Sequence, residues 1–237
     1  MPRTSTESLP VVLVPGLACS ARLYREQIPP LWPFGAVTVA DHTRDESIAA
    51  IARRILAAAP PRFALAGLSM GGYIAFEIMR QAPERAAKLA LLDTAATPET
   101  SQQTAARKTR IELAKSGRLA DALEAMFPLL VHRDRHGDQG LKRIVRLMGE
   151  ETGADAFIRQ QHAIMARADS RPSLAAIACP TLVVVGDGDE LTPAAAAAEI
   201  AAGIPGAHLV VIPECGHLST LERPDAVNAA LVAWLVS

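Results

Sequence analysis

The chain has 237 residues, of which 50% are apolar and 21% charged, a composition typical of a globular protein with a substantial core. Its 24 basic residues balance 25 acidic ones to a net charge of −1. This balance gives no electrostatic reason to expect binding to nucleic acid or to an anionic membrane. We therefore expect a small neutral or weakly charged molecule as the partner.

The cysteine count and the N-terminal segment bear on location. Cys19, Cys179 and Cys215 are widely separated, which favours neither a disulfide framework nor a metal or redox site. The segment MPRTSTESLP is polar and lacks the apolar run of a signal peptide. No uncharged stretch reaches the roughly 20 residues needed to span a bilayer. We predict a cytoplasmic protein without a metal.

Six short apolar runs predict β-strands. Each run is continuous rather than alternating, so both faces of the strand should be buried, as in a parallel sheet covered by helices. In chain order the runs are Val11 to Val14, Ala36 to Ala40, Phe63 to Ala66, Leu89 to Leu92, Leu182 to Val185 and Leu209 to Ile212.

Helical patterns separate most of these runs. They cover Ile48 to Ala59, Tyr73 to Gln81, Ala194 to Ala202 and the residues from about Pro224 onward. Strand–helix alternation predicts an α/β fold, with an open, mostly or wholly parallel sheet of about six strands flanked by helices.

The alternation breaks once, between the fourth and fifth runs. No convincing strand appears there, whereas apolar residues recur at helical spacing. Two such sets are Leu119, Leu123, Met126 and Leu130, and Leu141, Ile144, Val145 and Met148. We predict a helical insertion over residues 98–173, with residues 1–97 and 174–237 forming the core.

A G-x-S-x-G motif, Gly67-Leu68-Ser69-Met70-Gly71, lies between a predicted strand and a predicted helix. This context is the one that a nucleophile elbow requires. The turn is so sharp that side chains two residues either side of Ser69 would collide, which explains Gly67 and Gly71. The pattern predicts that Ser69 is a nucleophile exposed at the carboxyl edge of the sheet.

A neutral serine hydroxyl needs a base. His217 follows the sixth run and precedes the last helix, so it should lie at the same sheet edge as Ser69. His42 also follows a strand and is a weaker competitor. We predict His217 as the base.

The base in turn needs a carboxylate that fixes its tautomer. Asp187, Asp189 and Glu190 follow the fifth run, and Asp93 ends the fourth. The order Ser, Asp, His suits either position. Pattern alone leaves these acids unresolved.

Taken together, these segments resemble the α/β-hydrolase family, and the resemblance covers nearly the whole chain. It rests on Val-Pro-Gly-Leu at 14–17, Gly-Leu-Ser-Met-Gly-Gly at 67–72, Gly-Asp-Gly-Asp at 186–189, Leu-Thr-Pro at 191–193, Gly-His-Leu at 216–218 and Glu-Arg-Pro at 222–224. The resemblance implies that Asp189 is the acid, with Asp93 second.

The family likeness also implies an oxyanion hole made by the backbone N–H groups of Leu17 and Met70. Relatives commonly carry His-Gly where this chain has Pro15-Gly16. The missing histidine puts the supporting contacts of this loop in doubt, whereas Leu17 still has an N–H group.

The insertion resembles the four-helix cap of small carboxylesterases and methyl-ester hydrolases, which implies an apolar pocket above the catalytic residues. Its expected lining includes Leu17 together with Tyr73, Met126, Phe127, Met148 and Met165. The expected activity is hydrolysis of a small-molecule carboxylic ester through an acyl-enzyme, without cofactor or metal. Alternatives with the same three residues are enol-lactone hydrolysis, carbon–carbon bond hydrolysis, peracid formation, or small-molecule binding and signalling without turnover.

Overall fold

A computed structural model describes residues 8–237. Its centre is one six-stranded sheet with strand order β2-β1-β3-β4-β5-β6, and every neighbouring pair is parallel. The strands are β1 (Val11–Val14), β2 (Val37–Val39), β3 (Phe63–Leu68), β4 (Ala86–Leu92), β5 (Thr181–Gly186) and β6 (His208–Ile212). The predicted open parallel sheet of about six strands is confirmed.

Burial explains why the strand sequences are continuously apolar. All residues of β1, β3 and β5 are buried, whereas the edge strands β2 and β6 are partly exposed. Val12 and Val14 belong to one hydrophobic cluster, and Val11 and Leu13 belong to another on the opposite face. Because both faces are covered, no position of a central strand can be polar without cost.

Helices cover both faces of this sheet. They are α1 (Ile28–Leu31), α2 (Ile48–Ala58), α3 (Met70–Gln81), α4 (Ser101–Lys115), α5 (Leu119–Leu130), α6 (Gln139–Thr152), α7 (Ala154–Met165), α8 (Ala194–Gly203), α9 (Ser219–Glu222) and α10 (Pro224–Val236). The helices α2, α3 and α8 contribute to one hydrophobic cluster, and α1 and α10 to the other. Within residues 8–237, no helix is long and apolar enough to cross a membrane.

Residues 98–173 contain four α-helices, α4 to α7, and no strand. Helix α4 begins with a reciprocal capping box, in which the Thr100 side chain accepts from the Gln103 N–H and the Gln103 side chain accepts from the Thr100 N–H. Helix α4 packs against α5 and α7, and α5 packs against α6. The segment therefore builds its own small cluster, which includes Ala114, Ala122 and Phe157.

Since all six strands are parallel, the loops that follow them meet at one edge of the sheet. The loop after β1 carries Leu17, the turn after β3 carries Ser69, and the loop after β5 carries Asp189. The loop after β6 carries His217. These loops lie beside the four-helix segment and define where a site can form.

Candidate active site

Ser69 occupies a strained turn between β3 and α3. Its backbone angles are φ 57° and ψ −115°, a conformation that residues other than glycine rarely adopt. A Cβ on Gly67 would lie 2.2 Å from the Gly71 carbonyl oxygen, and one on Gly71 would lie 2.0 Å from that of Val14. The two glycines are therefore needed for the chain to turn so sharply here.

The turn directs the Ser69 hydroxyl towards His217. Ser69 Oγ lies 2.8 Å from His217 Nε2, although the two residues are 148 positions apart in sequence. His217 is buried, with 3% of its surface exposed, whereas Ser69 is half-buried and lines a cavity. His217 also contributes to the lining of this cavity, so a ligand bound there lies beside both side chains.

The carboxylate behind His217 is that of Asp189. Asp189 Oδ2 lies 2.8 Å from His217 Nδ1. The other oxygen, Oδ1, accepts the backbone N–H groups of Leu191 and Thr192, each at 2.9 Å. The Thr192 hydroxyl donates to Oδ2 at 2.6 Å. These bonds fix the carboxylate so that the proton of the neutral imidazole sits on Nδ1 and Nε2 can accept from Ser69.

The two partners shift each other's pKa in opposite directions. Burial alone would lower the pKa of His217, but the charge and hydrogen bond of Asp189 outweigh it, and the pKa lies above its usual value. Burial alone would raise the pKa of Asp189, yet the nearby imidazolium and the hydrogen bonds hold it below the usual value. The pair therefore favours the ionised carboxylate beside the imidazole.

Asp93, the competing acid, directly follows β4 and is fully buried. Its oxygens accept the Gly186 N–H at 3.1 Å and the Ser219 hydroxyl, and it makes no hydrogen bond to His217 among the described residues. Burial and the charge of Asp189 raise the pKa of Asp93 to about 8. Asp187, the other candidate in the loop, accepts the Cys215 N–H and lies outside hydrogen-bond reach of His217.

The loop after β1 lies against the Ser69 turn. A Cβ on Gly16 would be 3.4 Å from the Ser69 Cβ, so the backbone passes in contact with the nucleophile turn. The Leu17 N–H has no acceptor within residues 8–237, and the Met70 N–H is the first of α3, where helical N–H groups lack intrahelical acceptors. Neither N–H group is committed to a protein acceptor, and Leu17 lines the cavity, whereas Met70 does not.

Two side chains that sequence reasoning did not assign support this loop. His42 is buried, and its Nε2–H donates to the Gly16 carbonyl oxygen at 2.8 Å. Burial lowers the pKa of His42, which keeps it neutral. Gln160 of α7 accepts the N–H of Ala18, a residue with φ 56°, at 2.9 Å. These contacts replace the support expected from a histidine at position 15. His42 thus holds the loop after β1 through Gly16 and is not the base that contacts Ser69.

The loop that carries His217 is held by a buried carboxylate. Glu222 accepts the Gly216 N–H at 2.9 Å and the His132 N–H at 2.8 Å. Burial raises the pKa of Glu222 against the lowering effect of these bonds. The Glu-Arg-Pro segment thus has a local structural role beside the histidine.

A cavity of about 450 Å³ opens above Ser69 and His217, between the sheet edge and the four-helix segment. Of the residues expected to line it, Leu17, Tyr73, Met126 and Met148 do so.

Two of the expected residues, Phe127 and Met165, do not line this cavity. Phe127 packs with Val145 and Met148 in the hydrophobic cluster below, and Met165 is half-buried at the end of α7. Successive helix residues are rotated by about 100°, so Met126 faces the cavity while Phe127 turns away, and Ile164 faces it in place of Met165.

Most residues that line the cavity are apolar, as expected, but one wall is polar. Helix α4 and the residues before it contribute Glu99, Thr100, Gln102, Gln103, Arg107 and Arg110. The sequence did not indicate this wall, because it does not show which side of the weakly amphipathic helix α4 faces inward. Within residues 8–237 no cluster of three or more His, Cys, Asp or Glu side chains could hold a metal ion.

Comparison with known proteins agrees with this fold. Residues 11–230 match the family described as "Alpha/beta hydrolase family", and the chain belongs to that family. The members of this family that resemble the chain include several kinds of hydrolase. The protein is therefore a hydrolase of this fold.

Three relatives illustrate the range. A provisionally named non-heme bromoperoxidase of Mycobacterium tuberculosis is 30% identical over 184 residues, which is 76% of this chain and 69% of that protein. A malate-bound esterase structure from Thermogutta terrifontis matches with a TM-score of 0.85 at 28% identity, covering 96% of this chain and 89% of that one. The enol-lactonase from Burkholderia xenovorans LB400 matches with a TM-score of 0.86 at 23% identity, covering 97% and 92%, and shows the shared fold alone.

Proposed function

We propose that this chain is a serine esterase that hydrolyses small carboxylic esters through an acyl-enzyme. The observation that carries the proposal is the unbroken hydrogen-bonded series from Asp189 through His217 to Ser69, whose last oxygen opens into the cavity. Similarity to an esterase of known structure supports the same reaction class.

In the proposed first half-reaction, Ser69 Oγ attacks the ester carbonyl carbon while His217 Nε2 accepts the hydroxyl proton. Asp189 accepts the Nδ1–H and stabilises the imidazolium that forms. The negative oxygen of the tetrahedral intermediate is held by the N–H groups of Leu17 and Met70. His217 then returns the proton to the departing alkoxide, which leaves as the alcohol.

In the second half-reaction, water enters and His217 accepts its proton, so that hydroxide attacks the acyl-enzyme. Collapse of the second intermediate breaks the bond to Ser69 Oγ and releases the carboxylic acid, while His217 returns the proton to Oγ and restores the hydroxyl. The chemistry of this site requires neither a metal nor a cofactor.

We also propose that residues 98–173 act as a cap over the core formed by residues 1–97 and 174–237, and that the protein works in the cytoplasm.

The test is the Ser69→Ala variant with p-nitrophenyl butanoate as substrate. We expect loss of turnover by a factor of about 10³ or more, with an unchanged melting temperature as the check on folding. The matched control is Ser116→Ala, which changes an exposed serine at the end of α4. Undiminished turnover by Ser69→Ala would remove the proposed nucleophile.

A second candidate function is enol-lactone hydrolysis, because a lactone contains the same kind of ester bond that the series Asp189, His217 and Ser69 would attack. It would use the same three residues on a cyclic ester. Turnover of an enol-lactone at a kcat/KM at least tenfold above that of every open-chain ester would favour it. Tight binding of a small molecule without turnover of any ester would favour a binding protein instead.

A further inference from the structure

One cation on the cavity wall has no ionic partner. Arg110 on α4 is half-buried and lines the same cavity as Ser69 and His217. Within residues 8–237 its guanidinium makes no ion pair and donates no hydrogen bond, although a guanidinium has five donors. Its donors therefore remain free for a ligand that enters the cavity.

The nearest carboxylate is already occupied. Glu99, with 3% of its side chain exposed, accepts from Arg107 at 2.7 Å through one oxygen and from Arg167 through the other. Arg167 also stacks on the Tyr73 ring, with 4.4 Å between the guanidinium carbon and the ring centroid. Three guanidinium groups therefore face one carboxylate, and Arg110 is the one left over.

Helical geometry brings the spare cation to the ligand side. Gln103, Ala106, Arg107 and Arg110 recur at spacings of three and four on α4, and all of them line the cavity. Burial and the neighbouring charge of Arg107 lower the pKa of Arg110, but it remains a cation at any physiological pH. An anion in the cavity would accept hydrogen bonds from Arg110 and would offset its repulsion from Arg107.

We propose that Arg110 binds a carboxylate group of the substrate, so that the preferred substrate is an ester carrying a carboxylate away from the bond that is cleaved. This inference rests on the proposed esterase function for the position of the cleaved bond at Ser69. The planar fork of a guanidinium matches the two oxygens of a carboxylate.

The surrounding charges favour a singly charged group over a phosphate dianion. Glu99 is already paired with Arg107 and Arg167, so Arg110 offers one unpaired positive charge, which a carboxylate neutralises. A dianion would keep a further negative charge in a cavity that the exposed Glu190 also lines.

Two ester pairs test the proposal, one for each orientation of the substrate. Mono-p-nitrophenyl adipate and p-nitrophenyl hexanoate differ in a carboxylate at the end of the acyl chain. The second pair is 4-acetoxybenzoate and its methyl ester, methyl 4-acetoxybenzoate. These two acetate esters differ in a free carboxylate on the alcohol side. We expect the wild-type protein to favour the carboxylate member of at least one pair by about tenfold or more in kcat/KM.

The variant Arg110→Met removes the charge and keeps the length of the side chain. We expect it to reduce that preference by about 10- to 100-fold, the range typical of a hydrogen bond between charged groups. The matched control is Lys108→Met, which removes an exposed cation two positions away on α4 and should preserve the preference. Arg110→Lys should restore part of it.

A binding measurement separates this inference from the esterase proposal. Calorimetric titration of the Ser69→Ala protein with monomethyl adipate should show binding that weakens at least tenfold when Arg110→Met is added. If no ester is hydrolysed but this binding is seen, the carboxylate site stands and the esterase proposal fails. The carboxylate site would be overturned if both members of each ester pair were hydrolysed with equal kcat/KM. It would also be overturned if the preference for the carboxylate member were unchanged in Arg110→Met.

Discussion

The assignment of Asp189 rather than Asp93 as the acid makes the sharpest prediction. In Asp189→Asn the amide oxygen must occupy the position of Oδ1, because that position accepts the N–H groups of Leu191 and Thr192. The amide nitrogen then replaces Oδ2 and faces His217 Nδ1 at the 2.8 Å separation of the native pair. Since this nitrogen can only donate, the neutral imidazole must carry its proton on Nε2.

An imidazole protonated on Nε2 cannot accept the Ser69 proton across the 2.8 Å contact between them. The same change of tautomer lowers kcat by about 10⁴-fold in serine proteases, which corresponds to about 5.5 kcal/mol in the barrier. We expect kcat to fall by about 10³- to 10⁴-fold here. KM should change little, because Asp189 lies outside the cavity lining.

The matched control is Asp93→Asn. With a pKa of about 8, Asp93 is mostly protonated at pH 7, and an asparagine has nearly the same shape and can still accept the Gly186 N–H. We expect kcat to stay within about threefold of wild type, a barrier change below about 1 kcal/mol. The assay is steady-state hydrolysis of p-nitrophenyl butanoate at pH 7, with melting temperatures for both variants. An Asp189→Asn protein within tenfold of wild type, or an Asp93→Asn protein as impaired as we expect for Asp189→Asn, would refute this reasoning.

Three further predictions follow from the same contacts. The acid limb of kcat/KM against pH should have its midpoint above 6.5, because Asp189 raises the pKa of His217, the proposed base, and the midpoint should fall in Asp189→Asn; a wild-type midpoint below 6.5 would be inconsistent with the pairing. Folded Asp93 holds its proton up to about pH 8 while the unfolded residue ionises near 3.8, so its contribution to stability is full below pH 4 and is lost as the pH rises to 8. The free energy of unfolding of Asp93→Asn minus that of the wild type, measured with urea, should therefore increase with pH by at most about 1.4 kcal/mol per pH unit. A difference that does not change with pH would contradict the raised pKa of Asp93. Finally, His42→Ala should lower kcat by about tenfold by releasing the Gly16 carbonyl, His42→Gln should recover part of that loss, and equal losses in both would argue against the hydrogen bond.

The parts of the molecule that the sequence predicted are those governed by local pattern. Continuous apolar runs locate the strands because both sheet faces are covered, and the glycines around Ser69 reveal the turn because no side chain fits there. The ends of elements were less accurate. Strand β4 begins at Ala86 rather than Leu89, since register with β3 extends it beyond the apolar run.

The parts that the sequence did not predict depend on contacts between distant segments. His42 meets Gly16 across 26 positions and Gln160 meets Ala18 across 142, and neither pairing leaves a periodic signal. The choice between Asp187 and Asp189 depends on how one loop turns. The exclusion of Phe127 from the cavity depends on the rotation of α5, which an apolar stripe defines too coarsely.

The most direct test of the central claim is covalent labelling of the nucleophile. The protein is incubated with an ethyl p-nitrophenyl phosphonate, and the intact mass and the modified peptide are then determined by mass spectrometry. We expect one adduct per chain, located on Ser69, absent from Ser69→Ala and formed much more slowly by a His217→Ala protein. An adduct on another residue, or equal labelling of Ser69→Ala, would show that the reactive group lies elsewhere.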